Sequence, residues 1–336
     1  MNPTIKDVAR LANVSYSTVS RALANRPGVN EATRCKIIRA AEELNYRPNA
    51  IARGLVRGQT LSMGLIIPDI TNPFFPEVHR GIEDGARESG YSVFLCNTNW
   101  ERERETHYIN LLIEKRVDGI IIAPISDTVD KIEEELKSNI PVVYVSNLPP
   151  KTDRSCVAID NIRGGFLATK HLIESGYREI GFIGAPEGSF SIDQRLEGYK
   201  LAFRKYGMKL DQRFICFGDF KRETGYRIIK RMIEEGIYPR AIFAENDLMA
   251  LGVLQGVKES GLSVPGDIAV VGFDDIPFAS FPEVQLTTIR QPKYEMGKMA
   301  VQLLLNDIRA SNNGLRKELS CRKIILEPEL IVRKTG

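Results

Sequence analysis

Tyr16, Ser17 and Arg21 are the residues whose types and spacing first suggest chemistry. If a helix starts after Ser15, they share one face near its N-terminal end. A guanidinium one turn into such a helix can make a bidentate contact to guanine O6 and N7. Ser15, Thr18 and helix-terminal N–H groups suit phosphate oxygens, which set the register of a protein on DNA without reading its sequence. Other chemistries find no footing. No GxSxG, HExxH or GxGxxG motif occurs, and Gly184-Ala185-Pro186-Glu187-Gly188-Ser189 lacks the lysine of a phosphate-cradling loop. Cys35, Cys96, Cys156, Cys216 and Cys321 are scattered and stand at no metal-ligand spacing from His79, His107 or His171. They read as buried free thiols, and no metal, cofactor or catalytic residue is expected.

The elements that must hold the first set are short helices. Thr4 followed by Asp7 predicts a helix N-terminus, with Ile5, Val8, Ala9 and Ala12 facing inward. Asn13-Val14-Ser15 interrupts it, and Ser15 caps a second helix from Tyr16 to about Leu23 with Val19 and Leu23 inside. After the loop Asn25-Arg26-Pro27-Gly28, Asn30 caps a third helix to about Leu44, with Ile37, Ile38, Ala41 and Leu44 facing in. Three such helices form a helix-turn-helix unit whose second helix fits the DNA major groove.

Charge supports that partner. Residues 1–60 hold ten basic against four acidic side chains, while the remaining residues hold 36 against 39. A basic head on a mildly acidic body points to a polyanion for the head alone. With 336 residues, 43% of them hydrophobic and 26% charged, disorder and collagen-like classes are excluded. No apolar run is long enough to span a bilayer and no signal-peptide core stands at the N-terminus, so a cytoplasmic protein without membrane contact is expected.

From Leu61 onward short apolar runs alternate with amphipathic stretches. The runs are Met63–Ile67, Tyr91–Leu95, Gly119–Ala123, Val142–Val145, Ile180–Ile183, Ala241–Ala244 and Ile268–Val271. Alternating strand and helix implies parallel sheets wound on both faces, and there are enough runs for two. Arg116–Ile121 and Tyr177–Phe182 read alike, which suggests two similar α/β subdomains with a cleft between them. Ligands of open α/β sheets bind beyond the carboxyl ends of the strands, so the residues just after each run are the candidates. Glu101-Arg102-Glu103-Arg104-Glu105 reads as the solvated start of a helix. Trp100 fits a pocket wall or a surface cover.

The wording of the head is more specific than its periodicity. Thr4-Ile5-Lys6-Asp7-Val8-Ala9, Val14-Ser15-Tyr16-Ser17-Thr18-Val19-Ser20-Arg21, Leu44-Asn45-Tyr46-Arg47-Pro48-Asn49 and Ala52-Arg53-Gly54-Leu55 closely resemble the head of the LacI/GalR-type (lactose/galactose/purine repressor) family. The resemblance implies DNA contacts from Thr4, Ser15, Tyr16, Ser17, Thr18, Arg21 and Leu55. Pro48 to about Val56 would be a hinge helix in the minor groove, with Leu55 wedged between base pairs. Gly54 weakens so short a helix by about 1 kcal/mol relative to alanine, so hinge folding is expected to depend on DNA and a second hinge.

The body resembles the ligand-binding part of the same family and, more distantly, periplasmic sugar-binding proteins. The resemblance implies a small all-α head, residues 1–47, a hinge and linker over 48–60, and a body over 61–336. The body would comprise two doubly wound parallel-sheet subdomains of periplasmic-binding-protein type. These would be about 61–161 with 292–322, and 162–289 with 324–336, joined by crossings near Asp160–Ile162, Ile289–Pro292 and Arg322–Ile324. By the same resemblance Asn72, Phe74, Phe75, Arg195, Phe220, Asn246, Asp274 and Gln291 would contact the effector. After Val142–Val145, where some relatives carry an Asp, Ser146 stands instead. An arginine, carboxamides, an aspartate and apolar rings suit a neutral polyol.

The expectation is a homodimeric DNA-binding transcription regulator, a repressor of a near-palindromic operator, whose affinity is set by a small molecule, a sugar inducer. A purine or other co-repressor in the same pocket is one alternative. Others are a sugar-binding protein or enzyme without regulatory role and a constitutive DNA-binding protein with a vestigial pocket.

Overall fold

The structure is a computed structural model describing residues 3–25, 27–46, 59–125, 132, 136, 140–147, 152–185, 189–313 and 321–336. It divides into two units, Met1–Thr60 and Leu61–Gly336.

In the head, α1 spans Ile5–Leu11, α2 Tyr16–Leu23 and α3 Glu31–Glu43. Each start has a local cause. The Asp7 carboxylate accepts from the Thr4 N–H at 2.9 Å and the Thr4 hydroxyl at 2.7 Å, Ser15 Oγ accepts from Thr18 N, and Asn30 Oδ1 accepts from Thr33 N. Each stop is an asparagine at positive φ: Asn13 (50°), Asn25 (51°) and Asn45 (49°). Asparagine tolerates this left-handed conformation better than most side chains. Val8, Ala9, Ala12, Val19, Ala22, Ile37, Ala40 and Ala41 form the core. Ile38, expected inside, is 40% exposed, because the inward stripe of α3 runs through Ile37, Ala40 and Ala41 and leaves Ile38 beside it.

The body contains two six-stranded sheets. The first comprises β1 Ser62–Ile67, β2 Ser92–Asn97, β3 Gly119–Ile122, β4 Val142–Ser146, β5 Ser155–Ile159 and β11 Lys323–Leu326. The second comprises β6 Ile180–Gly184, β7 Ile215–Phe217, β8 Ala241–Ala244, β9 Ala269–Asp274, β10 Thr287–Arg290 and β12 Glu329–Ile331. Their orders are β11-β5-β4-β3-β1-β2 and β12-β10-β9-β8-β6-β7. Every pairing is parallel except the antiparallel β10–β12 edge. The helices are α4 Phe74–Glu88, α5 Arg102–Glu114, α6 Asn161–Glu174, α7 Phe190–Lys205, α8 Arg222–Glu234, α9 Asp247–Glu259 and α10 Lys293–Asn312. None among the described residues is long and apolar enough to cross a membrane.

The chain passes between the sheets three times. It leaves β5 for α6 at Asp160, leaves β10 for α10 at Gln291–Pro292, and passes from β11 to β12 at Glu327–Pro328. The third crossing therefore lies beyond the expected Arg322–Ile324, because Lys323–Leu326 pairs in register with Cys156–Ile159 and belongs wholly to the first sheet. The alike segments Arg116–Ile121 and Tyr177–Phe182 also do not occupy equivalent places. They lead into β3 and β6, whereas the sheet orders match β6 to β1 and β3 to β8. The apolar runs supplied seven strands; β5, β7, β10, β11 and β12 were not among them. In β10 the polar reading of Thr287 and Thr288 is misleading, since both are buried with partners remote in sequence, Arg333 N and the Asp247 carboxylate.

Two further expectations change. Helix α5 does begin within the charge run, but Glu105 is buried, its Oε1 accepting from Ile125 N at 3.0 Å. Only Cys96 and Cys156 are buried; Cys216 is half-buried, and Cys35 and Cys321 are exposed.

Helices α6 and α7 meet through Gly165 and Gly198, where backbone approaches backbone. A Cβ at Gly198 would stand 2.1 Å from Ile162 O and 2.6 Å from Phe166 N. Gly198→Ala is expected to cost about 1–3 kcal/mol in denaturant unfolding. At Gly85 a Cβ would make only ordinary contact, 3.4 Å from Val301 Cβ, so Gly85→Ala is expected to be neutral or to gain up to about 1 kcal/mol of helix propensity. Equal effects at the two positions would refute the close-packing explanation.

Candidate functional site

On the head, α2 buries Val19 and Ala22 and turns the other face outward. Tyr16 is 64% exposed, and Ser17, Ser20 and Arg21 are exposed with it. Ser15 Oγ, besides capping the helix, lies 2.7 Å from Ser17 Oγ and 2.8 Å from Thr18 Oγ1, so the three hydroxyls form one cluster at the helix start. Thr4 stands exposed at the start of α1 with its hydroxyl donated to Asp7. Arg34 Nη1 donates to Ala22 O at 2.9 Å, tying the end of α2 to α3. The hinge expected from Pro48 to about Val56, Leu55 included, lies outside the described residues.

In the body one cavity opens where the two sheets present their carboxyl edges. Asn72, Phe74, Phe75, Arg195, Phe220, Asn246, Asp274 and Gln291 all line it. They come from distant segments: the turn and first residues of α4 after β1, the second turn of α7, the loop after β7, the cap of α9, the end of β9 and the crossing after β10. Both sheets reverse direction of progression here, between β1 and β3 and between β6 and β8, which is where ligands of wound sheets bind. The space measures about 450 Å³ including its mouth.

The backbone there is unusual. Trp100 (φ 61°), Ser146 (72°), Phe220 (66°) and Asp274 (119°) line the cavity at positive φ without being glycine. Such conformations collect at ligand sites because the surrounding fold imposes them.

Arg195 organises the wall, and it is already engaged. Its Nε donates to Asn161 Oδ1 at 2.9 Å, its Nη1 donates to Glu245 O at 2.6 Å and to Glu245 Oε2 at 2.9 Å, and its guanidinium lies 3.7 Å from the Phe273 ring centroid. Gln291 Nε2 donates to Asp274 Oδ1 at 2.7 Å, and Lys293 Nζ donates to the Asp274 and Asp275 carbonyls at 2.6 and 2.8 Å. Asn246 is largely occupied by the fold: Oδ1 caps α9 through Met249 N, and Nδ2 donates to Phe220 O. Asn72 Oδ1 likewise accepts from Phe74 N.

Carboxylates crowd this wall. Burial pushes Glu245 up to about 7, with Arg195 pulling down and Asp274 pushing further up. Burial pushes Asp274 up to about 6 against Arg195, Lys293 and Gln291. Asp247, behind them, is also raised by burial and by Asp274. Asp275 goes the other way: burial opposes its ionisation, but hydrogen bonds from Arg290 and Arg333 outweigh it.

Glu245, Ser146, Asn147, Ser189, Ser191, Trp100 and Pro68 complete the described lining. Glu245 directly follows the run Ala241–Ala244, so the strand-end rule could have found it. Trp100 proves to be a wall. It stacks on Phe220, the ring centroids 4.2 Å apart and the planes at 7°, a contact made across the cleft. No residue spacing announces that pair.

Known proteins share this arrangement. Residues 4–49 match the family described as "Bacterial regulatory proteins, lacI family", and residues 60–327 match "Periplasmic binding proteins and sugar binding domain of LacI family". Catabolite control protein A of Priestia megaterium is 39% identical over 305 residues, covering 90% of this chain and 92% of that protein. The HTH-type transcriptional repressor CytR of Escherichia coli K12 is 37% identical over 330 residues, covering 98% of this chain and 95% of that protein. A solved lac repressor dimer bound to operator and the anti-inducer ONPF superposes with a TM-score of 0.89 at 30% identity, covering 100% of this chain and 99% of that one. From its head, its two-sheet body and these relatives, the chain belongs to the LacI family of bacterial regulatory proteins, DNA-binding transcription regulators with an effector-binding domain rather than enzymes.

Proposed function

We propose that the protein is a homodimeric repressor whose operator affinity is set by a small polyol, a sugar, held in the body's cleft. The observation that carries this reading is the convergence of eight residues, scattered from Asn72 to Gln291, on one cavity wall at the switch points of both sheets. In this reading Tyr16, Ser17 and Arg21 read base edges. Thr4, Ser15 and Thr18 hold phosphates, and Leu55 opens the central step. Residues 1–47 act as the DNA-binding unit, 48–60 as the hinge and 61–336 as the effector-binding and dimerising unit. The relative solved as a dimer on its operator supports two-fold pairing. So do the solvent-facing Phe94 (51% exposed) and Leu95 on the edge strand β2, since a bare apolar edge is a surface for a second chain.

Selection of duplexes from a random library by the full-length protein tests the reading. The expected operator is an inverted repeat of two half-sites, as two-fold heads require. Arg21→Ala is expected to lose about 1–3 kcal/mol of affinity and to relax preference at one position per half-site, whereas loss of a phosphate contact weakens all sequences alike. Recovered sequences without two-fold symmetry would refute the dimeric reading, and unchanged preference in the variant would remove Arg21 from base recognition.

A further inference from the structure

Among the described residues, the cleft wall carries more carboxylate than cationic charge. Among the described residues lining it, Arg195 is the sole cation, facing the two carboxylates of Glu245 and Asp274. Arg195 is engaged on Asn161, on Glu245 and on the face of Phe273. The next cation, Lys293, is buried, with its Nζ on two backbone carbonyls and 3.2 Å from Glu77 Oε2. Among the described residues an anionic ligand would therefore meet two carboxylates against one arginine, itself already paired with Glu245.

Two acceptors in the same wall wait for donors. Glu245 is fully buried and its Oε1 has no hydrogen-bond partner among the described residues; the same holds for Gln291 Oε1, whose amide is oriented by the bond from its Nε2 to Asp274. A buried acceptor left unpaired costs free energy, so whatever fills the site is selected for donors there. An alkylammonium group brings three donors and the missing charge together. Hydrogen bonds from a charged donor to a carboxylate are roughly twice as strong as neutral ones. Trp100 and Phe220, which line the same cavity, add aromatic surface that attracts cations.

We propose that the effector is a sugar bearing a protonated amine, received by Glu245 together with Asp274 and Gln291, and that Glu245 is the residue that selects it over neutral and phosphorylated sugars. This rests on the polyol reading of the cleft and narrows it. The raised proton affinities of Glu245 and Asp274, caused first by burial, agree with it, since a cation bound beside them would favour their ionised forms.

The test uses the full-length protein near neutral pH. Trp100 is the single tryptophan of the chain and stands in the cleft, so its fluorescence reports occupancy directly. The probes are glucosamine, galactosamine and mannosamine, each against its neutral parent, its N-acetyl form and its 6-phosphate. At least one free amine is expected to bind about tenfold or more tighter than all three of its counterparts, the equivalent of one decade in Kd. Glu245→Gln is expected to bring amine and neutral parent to within about twofold of each other. The comparison of amine with N-acetyl form in the unaltered protein decides the matter even if that variant does not fold. Equal or tighter binding of the neutral, acetylated or phosphorylated form overturns the proposal, as does failure of every free amine to bind, or a preference that survives Glu245→Gln. Operator selection is read separately: an inverted-repeat operator with no amine bound sinks this proposal alone, whereas failure to select any operator sinks the regulator reading whatever the cleft binds.

Discussion

Arg195→Ala is expected to destabilise the body by about 3–5 kcal/mol at about pH 8, and by distinctly less at about pH 5. The substitution strands Glu245, fully buried, without its cation, and leaves the Asn161 and Glu245 carbonyl oxygens without their donor. It also removes the guanidinium from the face of Phe273. The pH dependence follows from where the proton resides. The ordinary value for Glu245 is 4.5 and the folded value is about 7, so between them the folded state holds a proton that the unfolded chain has released. Stability contributed by this group is therefore fully present below 4.5 and is lost as pH rises toward 7. Without Arg195 the folded value moves higher still, and the loss continues to higher pH. Once Glu245 is protonated the buried charge is gone, and most of the penalty with it. Urea denaturation of variant and parent at both pH values measures the difference. A loss below about 1 kcal/mol, or one independent of pH, would mean that the pair is not the structural unit described. Arg195→Met combined with Glu245→Leu is expected to recover most of the loss, because replacing both members of a buried pair with apolar groups is often neutral.

Asp274→Ala is expected to weaken effector binding by roughly 10–100-fold, the worth of one charge-assisted hydrogen bond, while operator affinity without effector stays within about twofold. Stability is expected to change little, because two effects oppose. Gln291 Nε2 loses its acceptor, but Glu245 and Asp247 lose the neighbouring charge that raises their proton affinities. The linkage between cleft and operator, typically about 1–3 kcal/mol in allosteric proteins, is then no longer drawn upon at ordinary effector concentrations. Fluorescence anisotropy of a labelled operator, titrated with the ligand found by the amine panel, separates the two quantities. A response of normal midpoint would remove Asp274 from the effector site.

Much of the head was legible because its determinants are local. Thr4 with Asp7, Ser15 with Thr18 and Asn30 with Thr33 are neighbours in the chain, and capping bonds close within one turn. Ile38 faces outward because at about 100° per residue Ile37, Ala40, Ala41 and Leu44 gather around one direction of the helix, from which Ile38 is turned roughly a quarter of the way round. The buried strands of the body were legible as continuous apolar runs, and the rule that ligands lie beyond strand ends pointed to the right places. The five strands not read as runs include β10, whose threonines are polar in sequence and satisfied by groups remote in the chain, among them Asp247 and Arg333.

The sequence by itself determined the class of the head, the alternation of strand and helix, and, through family resemblance, the eight residues that meet in the cleft. Only the tertiary structure decided that Arg195 is already held by Glu245, that Trp100 closes on Phe220, that the third crossing falls at Glu327–Pro328, and that Glu245 and Gln291 each carry an acceptor without a donor among the described residues. The division has one physical cause. Caps, turns and amphipathic faces are set by residues a few positions apart, whereas the charge and hydrogen-bond balance of a buried site is a sum over groups that only folding brings within 3 to 4 Å.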